Sequence, residues 1–203
     1  MNEATVLETV LTQLKLLHAT HPEVHTFCPF PDDVHTQKIA PVHRPPSDAM
    51  QMETGLGESL YPELRDALVK LSPFAQWREA YKDTDSDPDF MNRFGCYEIV
   101  GVDALLASAK IRSFLVYHPP HLHYPWHHHP AEELYMVIAG EAEFHMKGRR
   151  AETLTSGQTS FHHSNVPHAL TSHDHPVMAY VVWRDDFDVA PVWSEGTSDT
   201  MAI

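Results

Sequence analysis

The chain has 203 residues, 42% of them hydrophobic and 21% charged, and a formal net charge of −14. That is enough chain for one substantial domain with a real core, in the composition range of ordinary globular proteins. The negative charge argues against nucleic acid, whose phosphates it repels, and against an anionic membrane surface. No apolar run approaches the ~20 residues that span a bilayer. The N-terminus carries Glu3 and Glu8 where a signal peptide would be basic and then apolar, so a cytoplasmic location is expected. Cys28 and Cys96 are far apart and form no metal-binding or disulfide pattern.

In chain order, Val6, Leu7, Val10, Leu11, Leu14 and Leu17 recur at helical spacing and predict a helix over Glu3 to His18. The proline-rich stretch from His21 to Asp48 reads as a long loop. "YPELRDALVKL" (61–71) and "PFAQWREAY" (73–81) read as two further helices, each with proline at or near its first turn. From Cys96 the texture changes. "CYEIVG", "KIRSFLVYH", "EELYMVIAG", "EAEFHMKG", "RAETL", "QTSFHH", "VPHALTS" and "PVMAYVVW" are short apolar or alternating segments punctuated by turn residues. Many short strands at regular spacing predict an antiparallel barrel or sandwich. The expected organisation is a helical region over residues 1–95, a β-barrel over 96–190 that it packs upon, and a tail over 191–203.

Chemistry is expected in the barrel, because twelve of the 17 histidines lie from His118 to His175. In "YPWHHHPAEELYMVIAG" (124–140), His127 and His129 share a face of an extended segment, and Pro130 ends it. Glu133 and Tyr135 share a face of the next strand. His168 follows the turn signalled by Ser164 and Asn165. Three imidazoles and a carboxylate suit one divalent transition metal, Zn, Fe, Mn, Co or Ni. Of the remaining histidines, His163 is the most plausible substitute ligand. His118, His121, His123, His128, His145, His162, His173 and His175 read as supporting or surface groups. A phenol beside such a cation is more acidic than a free one, which makes Tyr135 a candidate base. Tyr124 is a second phenol near the barrel mouth, and Trp183 offers an aromatic face that can wall a pocket or hold a cation.

These motifs resemble the cupins. His127-x-His129-x3-Glu133-x6-Gly140 fits the first cupin motif, and Gly157-x5-His163-x-Asn165-x2-His168 fits the spacing of the second. The turn residues differ: His121 and Asn165 stand where the pattern usually has glycine, His163 where it has proline, and Ser172 where it often has asparagine. More narrowly, "YPWHHHPAEELY", the single later histidine and the tryptophan fifteen residues beyond it resemble the bacterial cupin-type dimethylsulfoniopropionate lyases. The resemblance implies a cupin double-stranded β-helix covered by N-terminal helices. It implies metal ligation by His127, His129, Glu133 and His168, with His127 the one that need not be a direct ligand. It further implies catalytic or substrate-positioning roles for Tyr124 and Tyr135, a pocket role for Trp183, and a small zwitterionic substrate cleaved to acrylate and dimethyl sulfide. Another cupin enzyme, such as a dioxygenase or an isomerase, and a non-catalytic small-molecule-binding cupin are the alternatives. The sequence leaves the oligomeric state open.

Overall fold

In a computed structural model, residues 2–78 and 87–194 are described. Five helices, α1 (Glu3–Thr20), α2 (Pro22–Phe27), α3 (Pro45–Met52), α4 (Pro62–Leu71) and α5 (Pro88–Arg93), accompany eleven strands. The strands are β1 (His35–Thr36), β2 (Gly95–Val100), β3 (Leu106–Ala107), β4 (Arg112–His118), β5 (Leu122–His128), β6 (Glu132–Met146), β7 (Glu152–Thr155), β8 (Thr159–His162), β9 (His168–Ser172), β10 (Val177–Arg184) and β11 (Val192–Trp193).

Two sheets share β6. Its first half pairs with β8 on one side and β10 on the other, and the first sheet continues through β4, β2, β3 and β1. Its second half pairs with β7 and β9, and the second sheet continues through β5 to β11. This is the double-stranded β-helix expected of a cupin. "EELYMVIAG" and "EAEFHMKG" were expected as two strands; they are one. Gly140, at φ +73°, bends the strand between sheets without ending it. A Cβ at this glycine would lie 1.9 Å from the Pro176 carbonyl oxygen, so no other residue fits without moving β10's approach.

Strand alternation sorts the residues of β6 and β10 between two cores. Leu134, Met136, Ile138, Met178, Tyr180 and Val182 face the helices. Tyr135, Val137, Val177, Ala179, Val181 and Trp183 face the barrel interior. Both faces are covered, which is why these strands read as continuous apolar runs. On the helical side, Val10 and Leu14 of α1 and Leu68 and Leu71 of α4 are fully buried, each side chain worth about 1.5–3 kcal/mol of transfer free energy. A polar contact pins this layer down: His18 Nδ1 donates to the Cys28 carbonyl at 2.7 Å, and the Tyr180 hydroxyl donates to His18 Nε2 at 3.0 Å.

The stretch from His21 to Asp48 is no single loop. It contains α2 and the start of α3, both opened by proline at the first helical position, where the missing N–H costs nothing. The helix expected over residues 73–81 is also absent in its described part. Ser72–Phe74 forms one 3₁₀ turn, and Gln76 and Trp77 are extended, bridging to Val42 and Tyr97. Trp77 decides this. Its ring N–H donates to the Ser72 carbonyl at 3.2 Å, and its ring packs edge-on against Tyr97. Residues 79–81 lie outside the described residues. Cys28 and Cys96 are free thiols.

Candidate active site

β5 delivers His127, its neighbour loop His129, β6 Glu133, and the start of β9 His168. The structure brings all four together inside the barrel, each about 2% exposed. The ligand atoms of His127, His129 and His168 lie within 4.8 Å of one another, and so do those of Glu133, His162 and His168. Glu133 Oε2 is 3.1 Å from His168 Nε2, and Oε1 is 3.5 Å from His129 Nε2.

The three expected imidazole ligands are oriented alike. His127 Nδ1 donates to the Pro125 carbonyl at 2.8 Å, His129 Nδ1 to the Ala131 carbonyl at 3.0 Å, and His168 Nδ1 to the Val166 carbonyl at 2.9 Å. Each bond anchors Nδ1 on a backbone carbonyl and turns Nε2 toward the cluster, the arrangement that metal-binding histidines adopt. The Nε2 atoms of His129 and His168 are buried with no hydrogen-bond partner. Such orphaned acceptors are costly unless something occupies the centre they face, so this donor set fits a divalent cation.

Burial, together with the neighbouring His168, holds His127 well below the usual imidazole range and so neutral. For His129, burial opposes protonation, but the facing Glu133 carboxylate outweighs it and raises the imidazole. Burial alone would raise Glu133. The adjoining imidazoles of His129, His162 and His168 outweigh it, and the carboxyl falls well below its ordinary range. Glu133 is therefore an anion within the barrel.

His163 does not belong to the cluster. It is more than half exposed and packs on Phe161. Its neighbour His162 is buried instead, and its Nδ1 donates to Glu133 Oε2 at 2.8 Å while its Nε2 accepts from Ser160 Oγ at 3.0 Å. Burial pushes the imidazole down to about 4. The signal was in the alternation: Ser160 and His162 register against Tyr135 and Glu133 across β8 and β6, so the inward pair is 160 and 162.

Tyr135 is buried beside the cluster, its ring 5.5 Å from His162 and 5.5 Å from Phe144. Tyr124 stacks flat on His127, 4.0 Å between ring centroids at 16°. Phe90 and Phe94 pack on the Tyr124 ring at 5.3 and 4.7 Å. Trp183 does more than line the interior. Its indole N–H donates to Glu133 Oε1 at 2.6 Å, and its ring lies 4.3 Å from His129.

The departures in the turns leave the backbone pattern intact. His121 and Asn165 have φ of +57° and +58°, the left-handed conformation that glycine supplies most easily and asparagine tolerates. Asn165 N–H donates to the His129 carbonyl at 2.8 Å, which ties this turn to a predicted ligand.

The family profile of the dimethylsulfoniopropionate lyases matches residues 26–179. The chain is 40% identical to dimethylsulfoniopropionate lyase DddQ of Ruegeria pomeroyi over 185 residues, 91% of this chain and 92% of that one. The crystal structure of that R. pomeroyi enzyme superposes with a TM-score of 0.91 at 38% identity, covering 96% of this chain and 99% of that chain. A chain described among the lyase structures RdDddP and RnDddQII superposes with a TM-score of 0.90 at 32% identity, over 96% and 100% of the two chains.

Proposed function

The chain belongs to the dimethylsulfoniopropionate lyase family, and from that membership we propose that it cleaves dimethylsulfoniopropionate by β-elimination into acrylate and dimethyl sulfide. Family membership carries the reaction. The buried His and Glu cluster, with its anchored Nδ1 atoms, supports the residue assignments. His129, Glu133 and His168 hold one divalent metal, Zn, Fe, Mn, Co or Ni, with His127 as a further ligand or the adjoining imidazole. His162 and Trp183 donate to the two Glu133 oxygens and so hold the carboxylate in one orientation.

When bound, such a cation supplies Lewis-acid polarisation of the substrate carboxylate and acidifies the α-hydrogen. Tyr135, on the same inward face as Glu133, takes that proton as general base. The electrons of the broken α C–H bond form the Cα–Cβ double bond, and those of the β C–S bond leave with sulfur. Dimethyl sulfide departs uncharged, so no acid is required on the leaving group. Tyr124 and Trp183 wall the pocket and position the sulfonium end, whose charge favours aromatic faces. Tyr124 is the alternative base.

In this reading the helical region 1–95 covers the catalytic barrel of residues 96–190. No described helix is long and apolar enough to cross a membrane. A cytoplasmic location and the absence of a nucleic-acid partner belong to the proposal, supported by the charge of −14. Proton NMR of purified protein with dimethylsulfoniopropionate tests the reaction. The expected result is acrylate and dimethyl sulfide appearing in equal amounts as substrate disappears. Unchanged substrate, or a product retaining the C–S bond, would overturn it.

A further inference from the structure

The imidazole that holds one oxygen of Glu133 is itself held. β8 pairs with the first half of β6, placing Ser160 across from Tyr135 and His162 across from Glu133. Strand alternation puts Ser160 and His162 on the same inner face. His162 is 2% exposed, whereas Ser160, two residues nearer the start of β8, is partly exposed. Ser160 Oγ is 3.0 Å from His162 Nε2, and His162 Nδ1 is 2.8 Å from Glu133 Oε2. A row of three side chains thus runs from the edge of the sheet to the buried cluster.

Only one placement of protons satisfies this row. The Glu133 carboxylate offers lone pairs and no proton, so His162 Nδ1 donates to it. A neutral imidazole carries a single N–H, so Nε2 is left as an acceptor. The Ser160 hydroxyl supplies the proton that Nε2 needs. Anchored at both nitrogens, the ring is fixed in rotation as well as in tautomer. A half-turn about its Cβ–Cγ bond would put Cδ2 where Nδ1 stands and leave Glu133 Oε2 without that donor. The order hydroxyl, imidazole, carboxylate is that of a hydrolytic triad. Here, however, the carboxylate also faces His129 and His168, so what the row orients is the ligand set.

We propose that Ser160 is a positioning residue of the barrel site: its hydroxyl fixes the His162 ring and, through it, turns Glu133 toward the cation. This rests on the reading of Glu133 as a metal ligand. Because Ser160 is partly exposed, water reaches Nε2 when the hydroxyl is removed. A water satisfies the nitrogen without holding the ring in place, so the loss falls on metal affinity rather than on folding.

The test is a double-mutant cycle read out as the dissociation constant for Zn²⁺, measured by competition with a chelator. Ser160→Ala is expected to bind Zn²⁺ about tenfold more weakly than wild type, the low end of what an outer partner of a metal ligand contributes. Ser160→Thr keeps the hydroxyl and should restore the wild-type value. In a His162→Ala background, Ser160→Ala should change the affinity by less than about twofold, because the residue it acts through is gone. Wild-type affinity in Ser160→Ala, or the same tenfold loss with and without His162, would overturn the proposal while leaving Glu133 a ligand. A wild type that binds no Zn²⁺ would overturn the ligand reading itself, and the proposal with it.

Discussion

Tyr135→Phe is expected to lower kcat by roughly 10²- to 10⁴-fold, the usual cost of a lost general base, with fold and metal content near wild type. Tyr135 lies two residues beyond Glu133 on β6, so both face the barrel interior, and its ring is packed between Phe144 and His162. Phenylalanine keeps that ring and opens no cavity, so only the hydroxyl is tested. A hydroxyl that merely binds substrate would instead raise KM and leave kcat intact. Tyr124→Phe, measured beside it, separates the two phenols. The Tyr124 ring is stacked on His127 and enclosed by Phe90 and Phe94, contacts that phenylalanine preserves. Wild-type kcat in both variants would remove tyrosine from the proton transfer.

Glu133→Ala is expected to strip most of the barrel metal and to abolish turnover with it. The carboxylate faces His129 and His168 and accepts from His162 and Trp183. Its removal takes away a charged ligand and leaves two buried N–H donors without an acceptor, at about 1–3 kcal/mol each. His162→Ala makes a graded comparison. If His162 only orients Glu133, metal affinity should fall about 10- to 100-fold without vanishing. Elemental analysis of both proteins, each folded by circular dichroism, checks the order. Full metal occupancy in Glu133→Ala would remove Glu133 from the ligand set.

Much of the fold was legible because the strongest periodicities belong to its longest elements. α1 follows its heptad-like apolar stripe and extends two residues past His18, to Thr20. β6 and β10 were visible as apolar runs, though only the structure shows that Gly140 bends a single strand from one sheet into the other. The prolines of residues 21–48 misled, because proline both breaks helices and starts them, and local sequence does not say which. Trp77 stays out of a helix through contacts with Ser72 and Tyr97, the second of them distant in sequence. At the candidate site, the four expected ligand positions converge. His162 was passed over in favour of His163 because two adjacent histidines look alike until strand register assigns one of them to the interior.

The central claim is that a divalent metal in the barrel cluster is required to cleave dimethylsulfoniopropionate. Headspace detection of dimethyl sulfide tests it most directly, on purified protein supplied with dimethylsulfoniopropionate before chelation, after chelation, and after returning Zn, Fe, Mn, Co or Ni singly. The expected result is release by the untreated protein, loss on chelation, and recovery with at least one of these ions. Undiminished release from protein shown to be metal-free would contradict the claim.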